Sequence, residues 1–283
     1  MVIQIENLFF TYQSPFFQSH QALSDISLTI QPEEVVAIVG ATGSGKTTLI
    51  QHLNGLLQPT KGKIWINSVE LAGSKINLGE LRRKVGLVFQ FPEIQLFEET
   101  VFDDVAFGPR NLKLPENQIE ERVRNSLQLV GLDYDAFCRC SPFHLSGGER
   151  RRVAIAGILA MDPEILIMDE PTVSLDLCAA GKVKEIIMQY HRLGKTVIFV
   201  SHDMDLVAGL ARRIVVLDNG RIIFDGPKED LFQKRSLLER ANLALPQVYQ
   251  FMLKMRANGH PVRTDIFTLE EAKKELRNVL KSV

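Results

Sequence analysis

Eight residues, Gly40-Ala41-Thr42-Gly43-Ser44-Gly45-Lys46-Thr47, constrain this chain more than any others. They fit the pattern G-x-x-x-x-G-K-[ST]. In that pattern glycines let backbone N–H groups curl around phosphates, the lysine adds a point charge, and the hydroxyl reaches Mg²⁺. Such a loop belongs where a strand ends and a helix begins, because the helix N-terminus supplies further free amides. The flanks meet that demand. Val35 to Val39 is an aliphatic run suited to a strand, and the segment after Lys46 (Thr47, Thr48, Leu49, Ile50, His52, Leu53) reads as a helix. Residues Gly40 through Thr48 are therefore expected to hold nucleotide phosphates within an α/β fold.

The 283 residues allow one large or two modest domains, and 45% hydrophobic content can fill a substantial core. With 33 basic residues against 34 acidic ones the net charge is −1. That offers no general attraction for a polyphosphate backbone, so nucleic acid is not expected as a main partner. Cys138 and Cys140 lie too close for a usual disulfide and lack further Cys or His at zinc spacing; with Cys178 they are expected to be free thiols in a reducing cytoplasm. No run approaches roughly eighteen apolar residues, and Met1-Val2-Ile3-Gln4-Ile5-Glu6 lacks the basic region and apolar core of a signal peptide. The expectation is a chain that is soluble by itself and not secreted.

Strand-like runs at Val2 to Leu8, Leu28 to Ile30, Val35 to Val39, Lys63 to Ile66 and Val85 to Phe89, punctuated by Gly and Pro, predict sheet around the phosphate loop. From about Phe91 to Leu159 the texture turns helical. After Pro115 and Glu116, Ile119, Val123, Leu127 and Val130 recur at three- and four-residue steps until Gly131. Strands return at Ile165 to Met168, Thr196 to Val200 and Ile214 to Leu217. The helix Cys178 to Arg192 separates the first two, a βαβ pattern that predicts a parallel sheet. The expected division is a sheet-based domain over 1–226 with a helical insert at about 91–160, then a helical appendix over 227–283. In the appendix Val248, Phe251, Met252 and Met255 follow Pro246 at helical spacing until Gly259. Thr268-Leu269-Glu270-Glu271 has the form of a capping box opening a last helix with Ala272, Leu276, Val279 and Leu280 on one side.

Ile165-Leu166-Ile167-Met168-Asp169-Glu170 is an aliphatic strand ending in two carboxylates, an ending that costs energy unless something uses the charges. Beside a phosphate loop the natural users are Mg²⁺ and water: Asp169 with Thr47 as metal ligands, Glu170 as the group that polarises the attacking water. Leu145-Ser146-Gly147-Gly148-Glu149 adds a second anion site, made of a serine hydroxyl, glycine amides and the N-terminus of the helix Arg150 to Leu159.

This Ser-Gly-Gly leading into a helix resembles the signature motif of the ATP-binding cassette family. The resemblance implies an α/β P-loop ATPase with a RecA-like parallel-sheet core, an antiparallel β subdomain and an inserted helical subdomain, using ATP and Mg²⁺. It implies that Ser146, Gly147, Gly148 and Glu149 face the γ-phosphate held by another subunit. It also implies that Gln90 is the Q-loop glutamine that senses Mg²⁺, that Ser174, Leu175 and Asp176 form the D-loop at the dimer interface, and that His202 is the switch histidine contacting the γ-phosphate. Tyr12 lies where the family places an aromatic against adenine, with Phe9, Phe10 and Phe16 near enough to compete. Two positions depart from the family pattern. Glu149 replaces a glutamine, exchanging an amide that can donate for a carboxylate that only accepts when ionised, and Leu177 follows the D-loop where proline is common. Negative charge in a helix's first turn is favourable, so folding is expected to tolerate Glu149; hydrolysis is expected to survive both changes.

The stretch Phe89-Gln90-Phe91-Pro92-Glu93-Ile94-Gln95-Leu96-Phe97-Glu98-Glu99-Thr100-Val101, continuing through Asp104-Val105-Ala106-Phe107-Gly108-Pro109, is similar to the energy-coupling factor branch of that family. In that branch two ATPases drive a membrane T-component while a separate S-component binds a vitamin or other micronutrient. The Leu-Phe-Glu-Glu-Thr string and Arg151-Arg152-Val153-Ala154-Ile155-Ala156-Gly157 look closer to the second of the two ATPases. The resemblance implies a heterodimer on the cytoplasmic face of the cell membrane, a groove at Gln95, Leu96, Phe97 and Val101 for the membrane partner, and a tail from about Pro227 that helps hold the two ATPases together. The alternatives are the ATPase of another ABC importer or a soluble, non-transport cassette protein. The latter usually show long coiled-coil inserts, a second cassette or basic surfaces, none of which is evident.

Overall fold

A computed structural model of the chain describes residues 3–13, 19–71 and 77–281, the last two without their side chains; Val2, Phe16 and the Leu280 side chain lie outside the described residues. The chain begins with two long strands, β1 (Ile3–Tyr12) and β2 (His20–Ile30), then β3 (Val35–Val39), α1 (Lys46–Leu53), β4 (Lys61–Ile66), β5 (Val69–Glu70), α2 (Leu78–Lys84) and β6 (Val85–Val88). A helical stretch follows with α3 (Val101–Asn111), α4 (Glu116–Leu129), the short α5 (Tyr134–Phe137) and α6 (Gly147–Leu159). Sheet resumes with β7 (Ile165–Asp169), α7 (Leu177–Arg192), β8 (Thr196–Val200), α8 (Met204–Leu210), β9 (Arg213–Asp218) and β10 (Arg221–Pro227). Four helices end the chain: α9 (Lys228–Gln233), α10 (Arg235–Arg240), α11 (Gln247–Ala257) and α12 (Leu269–Lys281).

The strands form two sheets, one of four strands in the order β2-β1-β4-β5 and one of six in the order β10-β9-β3-β8-β7-β6. The first is antiparallel throughout, and in the second only β10 runs against its neighbour. The two-residue period of a strand assigns its side chains to opposite layers. Val35, Ala37 and Val39 enter one core with Leu166, Met168, Val197 and Phe199, while Val36 and Ile38 enter another with Ile165, Ile167, Ile198 and Val200. The second core is closed by α1 and the antiparallel sheet, through residues such as Leu49, Ile50, Ile5 and Ile26. The first is closed by helices, including Val105, Val123 and Ile155 of the insert. A sheet covered on both faces explains why its strands read as unbroken aliphatic runs rather than alternating ones.

The tail is less separate than its composition suggests. Leu231, Phe232, Leu238 and Tyr249 belong to the main helical-side core, whereas Met252, Val262, Ile266 and Ala272 make a small core of their own. Of the four apolar residues expected to share one face of α11, only Met252 is fully buried and Phe251 is exposed. Tyr249 takes the inward position instead, stacked on Phe267 with ring centroids 5.2 Å apart. The capping box at Thr268 forms, with the Thr268 amide donating to Glu271 at 2.9 Å. Cys138, Cys140 and Cys178 are free thiols. No helix among the described residues is long and apolar enough to cross a membrane.

One buried hydrogen bond ties the helical layer to the sheet: the Tyr190 hydroxyl donates to the Pro163 carbonyl at 2.6 Å, immediately before β7. Tyr190→Phe is expected to lower unfolding free energy by about 1–2 kcal/mol, read as a reduced denaturation midpoint in urea at unchanged slope.

Candidate functional site

In a parallel sheet, strands present their carboxyl ends along one edge, and loops leaving that edge converge. Here the register levels four such ends, with Ile38 opposite Val200, Val200 opposite Asp169, and Met168 opposite Val88. The phosphate loop leaves β3, His202 follows β8, Asp169 and Glu170 close β7, and Gln90 follows β6. Residues separated by more than a hundred positions in the chain thus form one row.

The loop itself is shaped by its glycines. Gly40 and Gly45 have φ of 148° and 103°, and at Gly40 a Cβ would run into the Leu217 carbonyl oxygen. Gly45 opens α1, whose first residue is Lys46. The Lys46 ammonium curls across the loop and donates to the Gly40 and Ala41 carbonyls at 2.9 Å each. Burial pushes its pKa below the ordinary lysine value, with Glu170 and Asp169 pulling the other way. Ser44 is buried with a hydroxyl that finds no partner among the described residues, an orphan that a phosphate oxygen would satisfy.

The Thr47 hydroxyl donates to Asp169 at 2.9 Å, which brings the two oxygens expected for Mg²⁺ together. Burial pushes the Asp169 carboxyl up, against the Thr47 hydrogen bond; a cation at these oxygens would remove that penalty. Glu170 is mostly buried, and its carboxylate meets the exposed His202 at 2.9 Å through Nδ1. The donor set therefore fits a phosphate and a hard cation, with a carboxylate and an imidazole adjoining.

Tyr12 ends β1 half-exposed, its hydroxyl 3.2 Å from the Thr48 hydroxyl. Phe10 meets both Tyr12 and the buried His52 edge-on, so it supports the Tyr12 ring from beneath. Ser146 caps α6 and forms a reciprocal capping box with Glu149. The Ser146 amide and hydroxyl both donate to the Glu149 carboxylate, at 2.9 and 2.6 Å, and these bonds hold Glu149 below the usual carboxylate pKa. Gly147 and Gly148 share a cleft of about 500 Å³ with Ser174, Leu175 and Asp176, on whose rim lie Arg150 and Lys182. Leu177, which replaces the usual proline, is almost wholly exposed at the start of α7, while Asp176 caps that helix. None of the phosphate-loop residues lines this cleft.

The family model described as ABC transporter matches residues 23–173. The chain belongs to the ABC transporter family. It is 46% identical over 285 residues to the "Energy-coupling factor transporter ATP-binding protein EcfA2" of Clostridium tetani, covering 99% of this chain and 97% of that protein. Among solved structures it superposes on cbiO1 from Clostridium perfringens, described as part of the ABC transporter complex cbiONQ, with a TM-score of 0.74 and 36% identity over 89% of this chain and 98% of the other. A dimeric post-hydrolysis state of the ATP-binding cassette MJ0796, bound to ADP and Pi, matches with a TM-score of 0.71 and 29% identity over 80% and 98% of the two chains. The fold is accordingly that of an ABC ATPase, with ATP and Mg²⁺ as its ligands.

Past Gln90, a groove of about 510 Å³ opens between the insert and α2, lined by Gln95, Leu96, Phe97, Phe107 and Met161 among others. Val101 is not among them. It sits fully buried beneath, as the first residue of α3, because Thr100 caps that helix and turns the next side chain into the core. Two groups whose structural role the sequence does not signal shape this region. Asp104 accepts from the Phe97 and Glu98 amides at 3.3 and 3.1 Å, fixing the segment that carries Phe97. Arg151 is buried against the backbone beneath Gln90 and Glu170. Only burial in the folded chain distinguishes these from solvated charges.

Because a Cβ at position 40 has no room, Gly40→Ala is expected to reduce affinity for a fluorescent ATP analogue by about tenfold or more, with the fold retained by circular dichroism.

Proposed function

We propose that this chain is the ATP-hydrolysing motor subunit of an energy-coupling factor transporter, closest to the second ATPase of the module. The observation that carries the reading is the apolar groove immediately past Gln90, where Phe97 and Phe107 pack edge to face with ring centroids 5.0 Å apart, both exposed. Exposed aromatics gathered in a groove suit a docked helix better than solvent. The relative named EcfA2 supports the branch by its near full-length likeness, and cbiO1 supports a membrane complex of several subunits. In this reading the chain lies on the cytoplasmic face of the membrane. Its partners are a second ATPase in a heterodimer, a T-component at the groove, and an S-component that carries the vitamin or other micronutrient.

The domain reading belongs to the same proposal: 1–226 as the nucleotide-binding unit with its helical insert at about 91–160, and 227–283 as an appendix that joins the two ATPases. The separation of the signature cleft from the phosphate loop supports a site completed by two subunits, in which Ser146, Gly147, Gly148 and Glu149 face the partner's nucleotide. Ser174, Leu175 and Asp176 would then lie at the shared interface.

Within one half-site, Tyr12 stacks on the base while the amides of Gly40 to Thr48 and the Lys46 ammonium hold the phosphates. Thr47 and Asp169, with Gln90, would hold Mg²⁺, which would supply positive charge to offset the negative charge that develops in phosphoryl transfer. Glu170 orients and polarises the attacking water, and His202, hydrogen-bonded to Glu170, steadies that carboxylate and the γ-phosphate side of the site. Glu170→Gln is expected to keep ATP binding while lowering turnover by about a hundredfold or more, measured as phosphate release; normal turnover would remove Glu170 from this role. For the membrane assignment, the doubly substituted Leu96→Ala, Phe97→Ala chain is expected to lose copurification with the membrane subunits while binding nucleotide normally. Undiminished copurification would place the partner elsewhere.

A further inference from the structure

Glu170 and Ser174 both carry a left-handed backbone, with φ of 46° and 61°. Residues other than glycine keep that conformation only where the surroundings over-determine it. Both lie in the turn that follows β7. The turn's backbone bonds are the Glu170 amide donating to Val200 at 2.9 Å, the Val173 amide donating to Glu170 at 3.2 Å and the Leu175 amide donating to Thr172 at 3.3 Å.

Side chains from other elements supply the rest: His202 meets the Glu170 carboxylate through Nδ1 at 2.9 Å, and Arg151 holds the backbone. Arg151, on α6 and 2% exposed, donates from Nη2 to the Glu170 carbonyl at 3.1 Å and to the Gln90 carbonyl at 2.8 Å. Its Nη1 donates to the Val173 carbonyl at 3.1 Å, one residue before Ser174. The Glu93 carboxylate stands 4.0 Å away as the counter-charge. Burial pushes the Arg151 pKa below the ordinary arginine value, with Glu93 opposing, and its Nε finds no partner. A guanidinium in this place is a costly way to fill space, since an apolar side chain would need no hydrogen bonds at all.

What the fork does accomplish is geometric. It grips the backbone on both sides of the Glu170–Ser174 turn and joins that turn to the residue that follows β6. A planar fork donates from two separate nitrogens and so spans carbonyls at both ends of the turn, a reach that the single nitrogen of an ammonium lacks.

We infer that Arg151 is a positioning residue for hydrolysis: by holding the Glu170 and Val173 carbonyls it keeps Glu170 in its left-handed backbone state and so aims the Glu170 carboxylate. This rests on the role proposed for Glu170. Arg151 also lines the signature cleft, but its guanidinium is committed to the backbone carbonyls, and in this inference it acts through the glutamate's backbone.

The test uses the chain assembled with its partner ATPase and membrane subunits, comparing wild type, Arg151→Met, Arg151→Lys and Glu170→Gln. Turnover, KM for ATP and affinity for a fluorescent ATP analogue are measured for each. Arg151→Met is expected to lower kcat by about tenfold or more, with KM and analogue affinity within about threefold of wild type. Arg151→Lys, which keeps the charge without the fork, is expected to recover part of the rate yet remain at least about threefold below wild type. Should the methionine variant fail to fold, the lysine variant decides by the same split. A wild-type kcat in either variant would overturn the inference, as would kcat and nucleotide affinity falling together, the mark of general damage. Normal hydrolysis by Glu170→Gln would instead refute the Glu170 role itself, and that outcome is distinct from a normal Arg151→Met beside an inactive Glu170→Gln.

Discussion

The register of four adjacent parallel strands is the constraint on which the rest depends. β3, β8, β7 and β6 end level with one another, and each end releases a loop carrying one part of the nucleotide site. Side chains alternate between two cores, so a slip of one residue would exchange the contents of both layers. The packing of Val36, Ile38, Ile165, Ile167, Ile198 and Val200 against the antiparallel sheet therefore fixes, at a distance, how close Thr47 comes to Asp169. Hydrophobic pattern and site geometry are the same specification seen from two sides.

Within that frame the site keeps charges where folding alone would not place them. Asp169 is buried with its carboxyl pushed up, Lys46 is partly buried with its ammonium pushed down, and Arg151 is fully enclosed. Each has partial compensation: Thr47 for Asp169, loop carbonyls for Lys46, three backbone carbonyls and Glu93 for Arg151. For Asp169 and Lys46 that compensation is what a divalent cation and a polyphosphate would complete, whereas Arg151 is turned to the backbone. Left-handed backbone at Glu170 adds to the same pattern, since strain of this kind persists where the surroundings enforce it.

Much of this was legible in the amino-acid order because it is local. The phosphate loop, the carboxylates ending β7 and the serine-glycine opening of α6 are each contiguous, and each announces itself through a strand, turn or cap that needs only neighbouring residues. The strand β3 and the strand β8 were readable to the residue, since full burial on both faces leaves an unbroken aliphatic run. Where burial depended on distant elements, reading failed. Val101 reads as available for a partner but, with Thr100 capping α3, turns into the core, and on α11 Tyr249 rather than Phe251 turns inward because Phe232 and Phe267 wait there.

The amino-acid order specifies contiguous groups suited in chemistry to phosphates, to a cation and water, and to an anion at a helix start. Only the tertiary structure decided how those parts meet. It set Thr47 beside Asp169 and His202 beside Glu170, kept the Ser146–Gly148 cleft apart from the phosphate loop, and put Arg151 under the turn that carries Glu170. The reason is physical. A motif is specified by backbone conformation over a few residues, whereas a distance between motifs is specified by strand order, register and core volume, which no short stretch of chain contains.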